Sequence, residues 1–399
     1  MKKTIAVLIT AFLVATSLTG VSANAQESVI QLGFPIVFNA MPTDTTSIIY
    51  DNLHYVPMRS FCEMMGAVVF YRERDRQIMV LTRDGDIIAH TVGESSFTVN
   101  GEQKLINRPS LLDNNTTYMP VDMISAVFYP DRIWYETQHF MVQKQLSNTD
   151  YHKRIQDVLA VSKNSNFYPE RFQRYINFHV NQPSYTMQEV LYRVNLGLDF
   201  PFYSNVTIIG QPYELLVLVN KYHQLPSNFQ QYHLVTMSRA YTANDGRQYL
   251  LAGVAYENYA KMADAAKQAG LSMRVVSAYR TESYQRNLYN NKVRSTGKIN
   301  ADNYSARPGF SEHQTGLAVD INSTKGSFQY TAEFRWLQQH AHEYGFIMRY
   351  PKGKEWITGY SYEPWHYRYV GTDAATIIHN EGITYEEYYA KYVSVNEFR

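Results

Sequence analysis

A pattern that occurs twice constrains the N-terminal part of the chain more than any other sequence feature. Both copies have a strand-like segment, a helix-like stretch and further apolar segments in the same order. Tyr55-Val56-Pro57-Met58, Val69-Phe70-Tyr71 and Ile78-Met79-Val80 recur as Tyr118-Met119-Pro120-Val121, Ala126-Val127-Phe128 and Phe140-Met141-Val142. Self-similarity of this kind is typical of a repeated structural unit. We therefore expect a repeated domain over residues 26–146.

Strands dominate the predicted structure of this domain. Segments such as residues 77–82 and 96–99 are rich in β-branched or alternating apolar residues, which favours strands. Asp84-Gly85-Asp86 and Asn100-Gly101-Glu102 are typical of hairpin turns. The sequence predicts a β-rich domain.

The double unit resembles the domain named after the N-terminus of copper amine oxidases, a stalk-like module on exported bacterial proteins. His54, His90 and His139 show no ligand-like grouping in the sequence, so we assign no copper chemistry to them. The resemblance implies that residues 26–146 present the rest of the chain, or attach it to the cell wall or surface.

The first residues have the order of an export signal. Lys2 and Lys3 precede a mostly apolar run over residues 5–15, and Ala23-Asn24-Ala25 follows as a small-x-small cleavage site. This order predicts a signal peptide over residues 1–25 and an exported protein of the cell envelope or extracellular space. A retained anchor is the alternative, but the apolar run is shorter than the roughly 20 residues of a spanning helix.

Length, charge and cysteine usage narrow the class of protein. At roughly 150 residues per domain, 399 residues predict two or three domains. Lys and Arg number 37 against 36 Asp and Glu, so we expect no nucleic-acid partner. Cys62 is the single cysteine, which excludes an intramolecular disulfide, and we expect it to be a small buried hydrophobe.

Two further regions follow the β-rich domain. Residues 147–210 are predicted to be a helical connector, in which Thr186 and Glu189 have capping-box spacing and Gly197 is a credible helix stop. Residues 211–399 mix helices and strands in the α+β manner. We expect helices at residues 255–269 and after Thr281 and Thr331, and strands at residues 273–277, 346–348 and 366–370.

Two motifs in the last region point to metal chemistry. They are Ser311-Glu312-His313-Gln314-Thr315-Gly316-Leu317-Ala318-Val319-Asp320 and Glu363-Pro364-Trp365-His366. A hydrolytic zinc site needs three protein ligands and one open position, and His313, Asp320 and His366 supply such a set. Glu363 then remains to act as the base.

Strand geometry limits this assignment. On a regular strand Glu363 and His366 would point to opposite faces, so both reach one metal only if a turn or bulge intervenes. Pro364 favours such a break.

The two motifs resemble those of the VanY-type D-alanyl-D-alanine carboxypeptidases, with the pattern Ser-x-His-x-x-Gly-x-Ala-x-Asp followed by Glu-x-x-His. The resemblance covers roughly residues 214–371 and extends to Leu218-Val219-Asn220-Lys221-Tyr222, Leu225-Pro226, Ser277-Ala278-Tyr279-Arg280 and Arg349-Tyr350-Pro351. It implies an α+β zinc peptidase domain over residues 211–399 with a central antiparallel sheet.

The same resemblance implies roles for individual residues. One zinc ion would be held by His313, Asp320 and His366, with Glu363 as general base and acid. Arg280 would stabilise the oxyanion or bind the terminal carboxylate of the peptide. Ser311 and Gln314 would line the substrate cleft.

The expected activity is release of terminal D-Ala from peptidoglycan stem peptides. An L,D-carboxypeptidase that trims tetrapeptide stems is the alternative enzyme, because motifs do not determine the pocket contacts that separate the two. A non-catalytic wall-binding protein is the alternative from another class. The presence of Glu363 argues against it, since losing the base is the simplest way to abandon catalysis.

Overall fold

The computed structural model describes residues 30–393 except 39–40, 129, 131, 137–138 and 144–148. The predicted signal peptide and the side chain of His139 lie outside the described residues. The chain divides into two compact units, with the boundary between Val194 and Asn195. No helix in the described part of the chain has the length and apolar character that crossing a bilayer requires.

Strands are more numerous than helices in the first unit, as the sequence predicts. The strands are β1 Gln31–Phe38, β2 Met41–Tyr50, β3 Leu53–Pro57, β4 Val68–Arg72, β5 Gln77–Leu81, β6 Ile87–Thr91, β7 Ser96–Val99, β8 Glu102–Leu105, β9 Leu111–Asp113, β10 Thr116–Pro120, β11 Arg132–Glu136 and β12 His139–Gln143. The helices are α1 Met58–Met64, α2 Val121–Phe128, α3 Asp150–Ala160, α4 Phe172–Asn181 and α5 Met187–Asn195.

These strands form two sheets around a shared core. One has the order β11-β12-β1-β2-β3-β10-β9 and the other the order β4-β5-β6-β7-β8. All described pairs are antiparallel except β1 with β12. Cys62 is fully buried in the core between them, where burial raises the pKa of its thiol, so the prediction of a buried hydrophobe is confirmed.

The two copies of the repeat share a strand–helix–strand–strand order, with one difference from the expected alignment. Residues 126–128, expected to match the strand at residues 69–71, instead end helix α2. Met123, Ile124, Val127 and Phe128 have helical spacing and are buried, so the apolar segment faces the core as part of a helix. The strand that follows is β11.

Helices α3 to α5 belong to the first unit, which differs from the predicted connector over residues 147–210. Ile155, Val158 and Ile176 pack in one buried cluster with Leu81 of strand β5 and Phe70 of strand β4. The helices therefore cover one apolar face of the sheet that contains strands β4 and β5. The sequence alone did not show that this face would need to be covered. Thr186 and Glu189 form the predicted capping box, with Glu189 N donating to Thr186 Oγ1 at 3.3 Å and Thr186 N to Glu189 Oε2 at 2.8 Å.

The second unit mixes helices and short strands. Its strands are β13 Thr207–Ile208, β14 His223–Gln224, β15 Leu234–Thr236, β16 Leu250–Ala252, β17 Val275–Ser277, β18 Ala318–Ile321, β19 Phe346–Met348 and β20 His366–Tyr369. Its helices are α6 Gly253–Gln268, α7 Glu282–Thr296, α8 Lys298–Tyr304, α9 Ala332–His340, α10 Glu355–Thr358, α11 Thr372–Glu381 and α12 Tyr385–Tyr388. Thr281 and Thr331 cap helices α7 and α9 through their side chains, as expected.

A four-stranded sheet of order β17-β18-β20-β19 positions the motifs of the second unit. Each of its strand pairs is antiparallel. Val275, Val319 and Tyr367 of this sheet pack with helix α6 residues such as Tyr259 and Met262 in one core. The sheet therefore rests on a buried helix and carries the residues described next.

Candidate active site

The three predicted metal ligands meet at one end of the two central strands, β18 and β20, of the four-stranded sheet. Asp320 on β18 and His366 on β20 are direct cross-strand partners. His313 lies in a 3-10 turn, Glu312–Thr315, which ends at Gly316 with a φ of +67°. A Cβ atom at Gly316 would lie 2.8 Å from Leu234 Cδ2, so the turn requires glycine.

Their side chains offer donor atoms to a common point. Asp320 Oδ2 lies 3.5 Å from His313 Nε2, and Asp320 Oδ1 lies 3.2 Å from His366 Nδ1. One ligand atom from each of the three lies within 4.8 Å of the others. His313 Nδ1 donates to the Ala278 carbonyl at 2.7 Å, which leaves Nε2 free to bind a metal.

Unsatisfied atoms support a cation site. His313 Nε2 and Asp320 Oδ1 are buried without a hydrogen-bond partner in the described part of the chain. Burial alone would raise the pKa of Asp320, but His313 and Arg280 hold it well below its usual range. Two ring nitrogens and one carboxylate oxygen suit a divalent ion such as zinc.

Glu363 reaches the same place because the chain turns before strand β20. Pro364 and Trp365 form the turn, and His366 N donates to the Glu363 carbonyl at 3.2 Å. Glu363 Oε2 then lies 3.5 Å from His366 Nδ1. The predicted break between the two residues is confirmed, and burial raises the pKa of Glu363 to about 7.

Arg280 lies beside the three candidate ligands. Its Nη2 donates to Asp320 Oδ2 at 2.8 Å and to Ser277 Oγ at 2.7 Å. Its Nη1 donates to Gln285 Oε1 at 3.4 Å. Because its side chain is 17% exposed, the guanidinium is fixed but open to the cleft, as a group that binds an anion requires.

A buried ion-pair cluster behind His366 was not found by sequence reasoning. Arg349 donates from Nε to Glu312 Oε1 at 2.8 Å, and from Nη1 and Nη2 to Glu386 at 2.8 and 2.6 Å. Arg368 Nη1 lies 3.2 Å from Glu312 Oε1. Glu312 Oε2 lies 3.7 Å from His366 Nε2. A carboxylate there favours a proton on Nε2 and leaves Nδ1 for the metal.

The cleft in front of these residues has a volume of about 670 Å³, within the usual range for a ligand site. Arg280, Ser311 and Glu363 line it. Gln314, predicted to line it too, does not; it is buried and accepts a hydrogen bond from Gly309 N at 2.9 Å. Gln314 therefore fixes the backbone at Gly309, just before the 3-10 turn, through this hydrogen bond.

Known proteins resemble both parts of the chain. Residues 248–372 match the family model described as D-alanyl-D-alanine carboxypeptidase, and residues 38–141 match the copper amine oxidase N-terminal domain. Putative carboxypeptidase YodJ of Bacillus subtilis is 41% identical over 191 residues, which cover 46% of this chain and 70% of that protein. The chain belongs to the VanY-type D-alanyl-D-alanine carboxypeptidase family. It is therefore a peptidase.

Two further proteins are similar to this chain over a comparable share of its length. The bifunctional D-Ala-D-Ala dipeptidase and D-Ala-D-Ala carboxypeptidase VanXYC of Enterococcus gallinarum is 37% identical over 184 residues, 44% of this chain and 93% of that protein. The solved LdcB LD-carboxypeptidase is 40% identical, with a TM-score of 0.45, and the match covers 47% of this chain and 91% of that chain. The family assignment rests on the sequence relatives.

Proposed function

We propose that this VanY-type peptidase is an exported, zinc-dependent D-alanyl-D-alanine carboxypeptidase that trims peptidoglycan stem peptides. The observation that carries the proposal is the convergence of His313, Asp320 and His366, with the partly buried Glu363 carboxyl 3.5 Å from His366 Nδ1. The name of the relative VanXYC, which includes D-Ala-D-Ala carboxypeptidase activity, supports the substrate.

Each residue of the site has a separate role in the proposed hydrolysis. His313 Nε2, an Asp320 oxygen and His366 Nδ1 would hold one zinc ion, which when bound polarises a carbonyl and lowers the pKa of water. Glu363 takes the proton from the attacking water and delivers it to the leaving amine. Arg280 binds the terminal carboxylate or the developing oxyanion. Ser311 contacts the peptide from the cleft wall.

The location of the protein and the role of its first unit belong to the same proposal. The order of basic residues, apolar run and Ala23-Asn24-Ala25 supports export. The first unit would attach the enzyme to the wall or cell surface. Peptide sequencing of the mature N-terminus from producing cells tests export, with cleavage after Ala25 as the expected result.

Hydrolysis of purified muropeptides, followed by mass spectrometry, tests the activity. We expect zinc-loaded full-length protein to remove one alanine from pentapeptides that end in D-Ala-D-Ala and to release free D-Ala. Removal of alanine only from tetrapeptides would assign the L,D-carboxypeptidase activity instead. Zinc-loaded, folded protein that cleaves neither substrate would contradict the proposed activity.

A further inference from the structure

The cleft extends from the candidate metal site along one face of helix α7. Gln285, at the metal end, accepts a hydrogen bond from Arg280 Nη1 at 3.4 Å. Leu288, Asn291, Lys292 and Ser295 follow along the helix and line the cleft with Tyr304 of helix α8. Residues with this spacing lie on one side of a helix. We call Leu288, Asn291, Lys292, Ser295 and Tyr304 the distal arm.

The length of the distal arm matches a short stretch of peptide. Gln285 and Lys292 are seven residues apart in helix α7, which corresponds to about 10 Å at a rise of about 1.5 Å per residue. An extended peptide advances about 3.3 Å per residue, so about three residues bridge this distance. A carboxypeptidase has a single substrate residue on the carboxyl side of the cleaved bond. Only the amino side of the substrate is therefore long enough to occupy the distal arm.

Charge distinguishes the two ends of the cleft. The acidic residues that line the cleft, Glu312, Asp320 and Glu363, are the ones at the metal end, whereas the distal arm carries Lys292. The acidic residues of helices α7 and α8 are engaged elsewhere, because Glu282 pairs with Arg286 and Asp302 with Arg307. Among the described residues, no carboxylate pairs with the Lys292 ammonium, which is therefore available to a ligand.

Aromatic and apolar side chains flank this ammonium. Lys292 Nζ lies 5.2 Å from the centroid of the Tyr304 ring, a cation–π distance that orients the lysine. Leu288 and Tyr304 are 37% and 55% exposed. Exposed apolar groups that line a cleft beside one charge are typical of a ligand-binding surface, where apolar contacts give affinity and the charge gives orientation.

We propose that the distal arm binds a carboxylate that the substrate carries about three residues on the amino side of the cleaved bond, with Lys292 as its ion-pair partner. Leu288 and Tyr304 contact the intervening peptide. This inference rests on the proposed carboxypeptidase function. It makes an acidic peptide the preferred substrate class.

Two synthetic peptides that end in D-Ala-D-Ala test the proposal, one with Glu and one with Gln at the third position on the amino side of the cleaved bond. With zinc-loaded full-length protein, we expect kcat/KM to be about three- to tenfold higher for the Glu peptide, as for a partly exposed ion pair. Lys292→Gln should bring this ratio close to one, and Lys292→Arg should keep it. Added salt should reduce the ratio.

A matched control is Lys298→Gln, which removes the same charge from the exposed start of helix α8 without touching the cleft. It should keep the wild-type ratio. Equal kcat/KM values for the two peptides in the wild type would overturn the proposal. An equal loss with both peptides in Lys292→Gln would also overturn it, because the lysine would then contact a group that both peptides share.

Binding separates this inference from the proposed hydrolysis. The same two peptides are titrated into zinc-loaded Glu363→Gln protein, with and without Lys292→Gln. Tighter binding of the Glu peptide that depends on Lys292 supports the distal arm even if no peptide is cleaved. Equal affinity of the two peptides refutes it, whatever the catalytic activity of the wild type.

Discussion

Two glutamates on either side of His366 have different pKa values because the groups around them differ. Glu312 faces His366 Nε2, and although burial alone would raise its pKa, Arg349 and Arg368 hold that pKa below its usual range. Glu363 faces Nδ1, and burial raises its pKa to about 7. Glu312, which stays ionised, is suited to orient the His366 ring. Glu363, whose pKa lies close to neutral pH, is suited to accept and release a proton.

Replacement of Glu363 separates catalysis from metal binding. Glu363→Ala removes the proposed proton carrier and leaves His313, Asp320 and His366 in place. We expect kcat to fall by roughly two to four orders of magnitude, the usual contribution of a positioned acid or base. Zinc content, measured by elemental analysis, should barely change. A variant that hydrolyses stem peptides at the wild-type rate would show that Glu363 is not the base.

Glu312→Gln should weaken metal binding without touching a proposed ligand atom. The amide keeps the shape of the side chain but loses the charge that favours a proton on His366 Nε2. We expect the dissociation constant for zinc, measured by competition with a chelator, to rise about 10- to 100-fold. Because breaking a buried ion pair also destabilises the fold, the variant is compared under conditions where circular dichroism shows it to be folded.

Glu386→Gln is the matched control for this prediction. It disturbs the same ion-pair cluster through Arg349 but does not contact His366. It should lower stability while changing zinc affinity less than Glu312→Gln does. Equal zinc affinities in wild type and folded Glu312→Gln would contradict an orienting role for Glu312.

At the scale of elements, short strands and tight turns position the site. Strands β18 and β20 have only four residues each, and the 3-10 turn that carries His313 ends at Gly316. The backbone amide of Ala252, next to helix α6, donates to the Gly316 carbonyl at 2.9 Å. The turn is thus held between the sheet and strand β16, with no room for a side chain at its end.

Gly316→Ala tests how tightly this turn is packed. Its φ of +67° disfavours alanine, and the new Cβ would lie 2.8 Å from Leu234 Cδ2 and 3.2 Å from Ala252 N. We expect the free energy of unfolding in urea to fall by about 2–4 kcal/mol. Gly382→Ala, at a φ of +64° with nothing within 4 Å, should cost about 1 kcal/mol. If both variants lost the same free energy of unfolding, Leu234 and Ala252 would have to move aside at little cost.

Sequence reasoning succeeded where the deciding residues are close along the chain. The two motifs supplied the three candidate ligands, which lie together in the structure, and the break at Pro364. That these residues bind zinc stays a prediction. Thr281 and Thr331, outside the two motifs, predicted the capped starts of two helices.

Sequence reasoning missed the cluster of Glu312, Arg349, Arg368 and Glu386, because a buried ion pair between distant residues leaves no periodic pattern. Arg349 stood in a family motif, but its partner Glu386 lies in helix α12, where a glutamate is indistinguishable from an exposed one.

The whole molecule consists of two units with separate cores, and the second contains every proposed catalytic residue. The sequence predicted boundaries after residues 146 and 210, with a separate connector between them. The sequence of a helix does not show which surface the helix packs against. Packing of helices α3 to α5 on strands β4 and β5 moves the boundary to Val194. The peptidase unit is therefore expected to fold alone.

Fragments of the chain test this division. Residues 195–399 should fold and keep carboxypeptidase activity on soluble peptides. Residues 26–194 should unfold cooperatively and stay monomeric, whereas residues 26–146 should aggregate, because they lack the helices that cover Phe70, Met79 and Leu81. Size-exclusion chromatography and thermal unfolding give the comparison. A soluble, monomeric 26–146 fragment, or a folded but inactive 195–399 fragment, would contradict it.

The direct pairing of Asp320 with His366 also determines where the chain can change in length. Strand register is set by which side chains are buried, not by the length of the connection. Extra residues beside the exposed Lys325 and Gly326 should therefore leave the two ligands opposite each other. One extra residue inside strand β18 or β20 would turn a ligand to the other face of the sheet. Insertions are thus expected to be tolerated at this exposed turn and excluded from within the two strands.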